Sequence, residues 1–229
     1  YPTGIADDKG GYWFRSRWAN ADDVIVSLGT DIISHDNAWN EADALTTGIL
    51  GFGSKFSGGP GTSGRADLFS QLLVDGVART TSDTTGAPVF FNQTATGGYA
   101  IASGSTKYTA MGVSSANRHV MVDYPRGSHA FGVISTLDVV RSFAAHTYDY
   151  QINTLGLPAI SGTESGLPTF TVIAPDQSYL KGWVVNPAGV TISTDGSLRC
   201  TTSGTNADVW VVMTVGRGSA PVANVTVEG

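Results

Sequence analysis

Residues 131–155 read FGVISTLDVVRSFAAHTYDYQINTL. The segment holds two strand-like runs, Phe131–Val140 and Thr147–Leu155, and no apolar stripe at helical spacing. The same texture continues on both sides. Short apolar runs broken by Gly, Asp, Asn, Ser and Pro fall at Val24–Leu28, Leu45–Phe52, Leu72–Val74, Tyr99–Ala102, Lys107–Val113 and His119–Asp123. Further along they recur at Thr169–Ala174, Trp183–Val185, Val190–Ser193, Leu198–Thr202, Val209–Val215 and Val222–Val227. Asp75-Gly76 is a hairpin turn signal. Runs spaced at roughly 8–12 residues mark a sandwich or barrel. The expected fold class is therefore all-β, a large antiparallel β-sandwich of the supersandwich kind with little helix. Ala66–Leu73 is the one place where a turn or two of helix is expected.

Organisation follows from the same reading. Residues 156–168, GLPAISGTESGLP, are rich in Gly, Pro and Ser and read as a connector. Sixty residues of strand beyond it would make a marginal domain alone. The expectation is one sandwich domain over 1–229, with the main sheets in 1–155, the connector at 156–168 and closing strands in 169–229.

Composition narrows the function classes. Hydrophobic residues make up 41% of 229, which excludes a disordered chain. Charged residues reach only 14%, against roughly 25% in ordinary soluble domains, and there are 29 Gly; this excludes a coiled coil or helical bundle. The net charge is −6 with a pI near 5.0 and no basic run, so no nucleic-acid partner is expected. No apolar stretch approaches the ~18 residues of a membrane span. The chain begins at Tyr1 without a signal peptide, as a processed product, a trimmed chain or a fragment would. Cys200 is the sole cysteine, which rules out an internal disulfide framework and any Cys-based metal site. The sequons at Asn92 and Asn224 agree with secretion but arise by chance in a chain of this composition.

The four histidines are His35, His119, His129 and His146. His35 sits in Ser34-His35-Asp36-Asn37 after a strand, where loop residues carry function, or else simply make local hydrogen bonds. His119 and His129 flank the hairpin loop Tyr124-Pro125-Arg126-Gly127, and His146 starts a strand. None shows metal-ligand spacing, and neither a nucleophile elbow nor a phosphate-binding Lys-Ser/Thr is present. Glu41 and Asp43 give a weak hint of paired carboxylates. Tyr12, Trp13, Phe14 and Trp18 cluster with Arg15 and Arg17, while Trp39, Tyr148 and Tyr150 lie near other candidates. Guanidinium groups bind carboxylates and aromatic rings stack on pyranose faces, so the mix suits an acidic sugar; the same rings would equally fill a sandwich core.

The order of these motifs resembles the C-terminal β-domain of heparinase II/III-type polysaccharide lyases. Tyr12–Trp18 followed by Ala21–Val26 is similar to the opening strands of that domain. His35–Asp43 with Gly48–Phe56, then Ser70–Gly76, Arg118–Val122, Val133–Val140 with Asp138, and His146–Tyr150 continue the likeness over roughly residues 12–155. The resemblance implies β-elimination on a uronic-acid-containing polysaccharide by a secreted enzyme. It implies catalytic roles for His35 as base or charge neutraliser, Asp43 as the residue orienting the site loop, and Arg15 at a substrate carboxylate. Arg17, Trp18, Trp39 and Tyr148 would bind substrate.

The family often holds a structural zinc through a His-x-His with a downstream Asp and His. Here that pair is missing, Ser57-Gly58-Gly59 stands where the Asp is expected and Ser70 where a His often stands; no metal and no other cofactor is expected. Family members also place a helical toroid before this domain, which supplies an acid/base Tyr and much of the cleft. The expected partners are thus an acidic polysaccharide and a helical toroid from another segment or chain. Two other readings stay open: a non-catalytic carbohydrate-binding sandwich, and a self-associating structural protein of a surface, filament or virion.

Overall fold

The computed structural model describes residues 4–7, 11–17, 22–30, 44–58, 70–78, 86–124, 132–218 and 225–226. Two antiparallel sheets account for the described strands. The smaller is a meander of β1 (Gly4–Asp7), β2 (Gly11–Arg15), β3 (Ile25–Gly29), β4 (Thr47–Gly51) and β5 (Ser54–Ser57). The larger contains β6 (Leu72–Val74), β7 (Ala87–Gln93), β8 (Gly97–Ser103), β9 (Val113–Asp123), β10 (Gly132–Ile152), β11 (Ala159–Glu164), β12 (Leu167–Ile173), β13 (Ser178–Asn186), β14 (Thr191–Ser193) and β15 (Leu198–Arg217). Its order is β11-β12-β13-β15-β10-β9-β8-β7, with β6 on β10 and β14 on β15. The expected all-β antiparallel sandwich is what forms.

Alternation sets which side chains face the core. In β2, Tyr12 and Phe14 are buried while Trp13 and Arg15 are half-exposed. Both buried rings stack on Phe91 of β7, at 5.2 and 5.6 Å between centroids. Phe14, Val26, Leu28 and Phe56 of the small sheet share one buried cluster with Val120, Val122, Ile134, Val211 and Met213 of the large one.

The long β10–β15 ribbon does not run straight. Its register shifts between Arg141 and His146. Thr136 Oγ1 donates to Tyr150 Oη at 2.9 Å, although the two residues lie 14 apart on one strand. An unbent strand would hold them about 46 Å apart at ~3.3 Å per residue. The far half of the ribbon therefore folds back over the near half. Tyr148, Tyr150, Ile152, Leu198 and Cys200 become core residues.

Three local expectations are corrected. Lys107–Val113 is not a strand; Ser105–Met111 forms a 3-10 helix closed by Gly112 at φ 79°. Tertiary bonds decide this, because Lys107 and Tyr108 are both buried with their polar ends bonded to other segments. The stretch read as a connector contains β11, which hairpins with β12 around Ser165-Gly166, both at positive φ. β11 is an edge strand with mostly exposed side chains, so it needs few apolar residues and escapes a hydrophobicity reading. Within Ala66–Leu73, residues 66–69 lie outside the described residues, and Leu72 and Leu73 belong to a strand rather than a helix. Asp75-Gly76 turns as expected, both at positive φ. Among the described residues, no helix is long and apolar enough to cross a membrane.

Candidate functional site

One end of the sandwich collects the roots of several connections. Thr30 and Ala44 flank residues 31–43, Gly58 and Ser70 flank 59–69, and Gly86 follows 79–85. These roots touch. Ser70 Oγ accepts the Gly58 and Asn153 amides at 3.0 and 2.9 Å, and Ser70 O accepts the Thr47 amide at 2.8 Å. A Cβ added to Gly86 would lie 2.5 Å from Ala44 Cβ and 2.6 Å from Thr30 O, so only glycine lets the backbone approach this closely.

Two buried cations hold the roots in place. Arg118 on β9 faces Asp138 on β10 as a cross-strand pair. Its Nε and Nη2 donate to the two carboxylate oxygens at 2.6 Å each, a bidentate fork. Nη1 donates to Leu45 O at 2.7 Å, Thr47 Oγ1 at 3.1 Å and Ser70 O at 3.3 Å. The guanidinium also lies 4.8 Å from the Tyr150 ring centroid. Burial works against its charge, but the Asp138 carboxylate outweighs this and raises its pKa. Lys107 Nζ donates to Ala44 O and Gln71 Oε1, both at 2.9 Å. Burial pushes the Tyr150 phenol up to about 12, against the opposing Arg118 charge, so it stays protonated at neutral pH. The cluster thus fixes backbone; it is not itself a proton-transfer device.

The sequence-expected site residues divide into three groups. His35, Asp43, Trp18 and Trp39 lie outside the described residues. Arg15 and Arg17 are brought together: both guanidinium groups meet the buried Asp23 carboxylate, at 2.7 and 3.2 Å. Arg17 keeps half of its side chain exposed, 51% against 27% for Arg15. Tyr148 is fully buried beside the ribbon's fold-back and presents no face to a polymer, which corrects its expected substrate-binding role. Topology separates the Arg pair from the loop roots. Arg15 pairs with Ile25 at the start of β3, whereas Thr30 and Ala44 stand beyond its other end. Four residue steps along β3 put about 13 Å between the Arg pair and the roots of the His35 segment.

Sequence reasoning attached no role to Lys107, Gln71, Arg118 or Asp138. The signal for the last two was parity. Arg118 shares the inward face with Ala116, Val120 and Val122, and Asp138 shares it with Ile134 and Val140. Of the other histidines, His129 lies outside the described residues. His119 meets the Tyr99 hydroxyl at 2.5 Å on the outer face of the large sheet, where burial lowers its pKa. His146 Nδ1 meets Asp75 at 2.8 Å. Among the described residues, no group of three or more His, Cys, Asp or Glu could hold a metal ion.

Comparison with solved structures places this architecture. A heparinase III gene product aligns with a TM-score of 0.66 at 13% identity, covering 94% of this chain and 36% of its own. A second heparinase III aligns at 0.64 and 16% identity, covering 93% and 36%. A mutant of heparan sulfate lyase HepC from Pedobacter heparinus aligns at 0.66 and 12%, covering 94% and 36%. At such identities the likeness is one of fold: the chain has the β-sandwich architecture found in heparinase III-type lyases. It spans about a third of the length of those proteins. No family model matches the sequence, and no curated protein does.

Proposed function

We propose that this chain is the β-sandwich portion of a secreted polysaccharide lyase that cleaves a uronic-acid-containing polymer by β-elimination. A helical toroid from another segment or chain would complete the cleft. The observation that carries the reading is the fold match over nearly the whole chain to one third of each heparinase III structure. The clamped loop roots support it, because Lys107 and Arg118 both hold the Ala44-Leu45 root at which the segment bearing His35, Trp39 and Asp43 ends. A reacting group gains from being held this way, since misplacement costs rate.

In the proposed reaction a base removes the proton at C5 of the uronate. The C4–O4 bond breaks, a C4–C5 double bond forms, and the leaving oxygen takes a proton. Charge that develops on the C5 carboxylate needs a cation or a hydrogen-bond donor. His35 is the base or the neutralising group, oriented through Asp43. Arg15 and Arg17 engage a carboxylate of the polymer, with Trp18 and Trp39 as stacking platforms.

The test uses the full-length polypeptide with heparan sulfate, hyaluronan, alginate and polygalacturonate. Release of unsaturated uronate, read by its ultraviolet absorbance, is expected on at least one of them. Replacing His35 by Ala should lower that rate by about 10²–10⁴-fold, as for loss of a general base. Absence of unsaturated product from every polymer would overturn the lyase reading, and retained binding without product would favour a carbohydrate-binding module.

A further inference from the structure

We infer that the outer face of the β11–β12–β13 end carries a second saccharide site, one that takes an uncharged sugar unit rather than a uronate. The observation is an open cavity of about 240 Å³ lined by Ile160, Gly162, Glu164, Thr169, Thr171 and Lys181, among others. Gly162, with no side chain, forms part of its floor. A Cβ there would meet only Thr169 Oγ1, at 3.5 Å, and the backbone is not at positive φ. Nothing in the packing of this strand demands glycine, yet glycine leaves the hollow open.

The lining is ordered before any ligand arrives. Lys181 Nζ and Trp183 Nε1 both contact Glu164 Oε2, at 2.6 and 3.0 Å. The Lys181 ammonium also lies 4.8 Å from the Trp183 ring centroid, over an indole that is itself buried. These bonds, that from Lys181 first, lower the Glu164 pKa and keep it ionised at neutral pH. Both contacts use Oε2, so Oε1 keeps lone pairs for a ligand hydroxyl. Thr169 and Thr171 add hydroxyls that both donate and accept. Exposed Ile160 supplies an apolar rim. This is the chemistry of a pyranose unit: several hydroxyls and one apolar face.

Charge selects the ligand class. A carboxylate or sulfate drawn to Lys181 would meet the Glu164 carboxylate 2.6 Å from the same ammonium. Its attraction to the cation is then largely cancelled. A neutral sugar suffers no such cost. The Arg15–Arg17 pair, by contrast, sets two cations on one carboxylate. The two surfaces would hold chemically different units of a mixed polymer, or two different glycans. This inference stands without the lyase reading, because its test involves no cleavage.

The test applies the intact protein to an array of uncharged glucose-, galactose- and N-acetylhexosamine-based oligosaccharides printed beside uronate oligosaccharides. Binding to at least one uncharged class is expected. Gly162→Leu, which fills the hollow, should weaken that binding by about tenfold or more, a loss of one decade in Kd. Its thermal midpoint should stay at the wild-type value. Thr171→Val and Glu164→Gln, which keep the hollow's shape but remove polar capacity, should weaken the same binding if Gly162→Leu perturbs folding. No uncharged binder, or a signal that survives all three replacements, or a response confined to uronates, overturns the inference.

Discussion

Two arginine–aspartate centres sit in this molecule and behave as opposites. At the open end of β2 and β3, Arg15 and Arg17 share the buried Asp23 while remaining partly in solvent. Between the layers, Arg118 and Asp138 are both fully buried. Water and salt screen the first pair of contacts. The second is surrounded by protein, so every N–H must find an acceptor or the fold suffers. Arg118 meets that demand with partners 20, 48, 71 and 73 residues away in sequence. The difference shows how one chemistry serves two ends. Exposed guanidinium groups can still greet a ligand, whereas a buried one ties distant segments together.

The largest expected effect is at the buried centre. Arg118→Met should cost about 3–5 kcal/mol in urea unfolding, because Asp138 is left charged and unpaired in the interior. Adding Asp138→Leu to that variant should recover a substantial part of the loss. Lys107→Met should cost less, about 1–3 kcal/mol, through loss of the buried bonds to the Ala44 carbonyl and Gln71 Oε1. A loss below ~1 kcal/mol for Arg118→Met would erase the contrast between the centres, since that is the range of an exposed ion pair.

How much of this was legible in the sequence depends on range. The runs read as strands at His119–Asp123 and Phe131–Val140 lie in β9 and, from Gly132, in β10, where buried and more exposed residues alternate, and Asp75-Gly76 announced its turn. The same alternation places Arg118 and Asp138 on the core face, so the buried pair was readable as charges at core parity. What they hold was not readable, because Leu45, Thr47 and Ser70 approach them only once the layers stack. Tyr148 was misread for a related reason. Its place on the solvent or core side depends on the reversal of β10, which no local residue type declares. Arg15 pairs with the start of β3, whereas the segment that carries His35 leaves from beyond the other end of that strand, a separation of roots that sequence proximity does not reveal. β11 was hidden by its small polar residues at a sheet edge.

At the exposed centre, Arg15→Ala and Arg17→Ala should each change stability by less than about 1 kcal/mol, with Arg15 the larger. The difference should shrink as ionic strength rises from about 0.05 to 0.5 M, because the Debye length falls over that range. If these groups engage the polymer as proposed, both variants should nonetheless bind or cleave a uronate polymer markedly less well than wild type. A polymer response equal to wild type, measured in parallel with unfolding, would leave the pair with a structural role only.

The smallest effect concerns a third, intermediate pair, and pH separates it from the other two. His146 stands where the β10–β15 register shifts, and its Nδ1 meets Asp75 Oδ2 at 2.8 Å. The Thr147 amide donates to the other carboxylate oxygen at 2.8 Å. These bonds, that from His146 first, hold the Asp75 pKa below its ordinary value. A depressed carboxylate pKa stabilises the fold above the unfolded-state pKa of about 3.9 and ceases to do so as pH falls through the folded value. Asp75 is nearly half exposed, so screening keeps the contribution small. Thermal midpoints of wild type and Asp75→Asn should therefore differ above about pH 5 and converge in acid. A constant offset from neutral to acid pH would mean that the carboxylate's charge does not act in the folded state. His146 would then be held by packing at the bend, like its buried neighbour Tyr148, rather than by its bond to the Asp75 carboxylate.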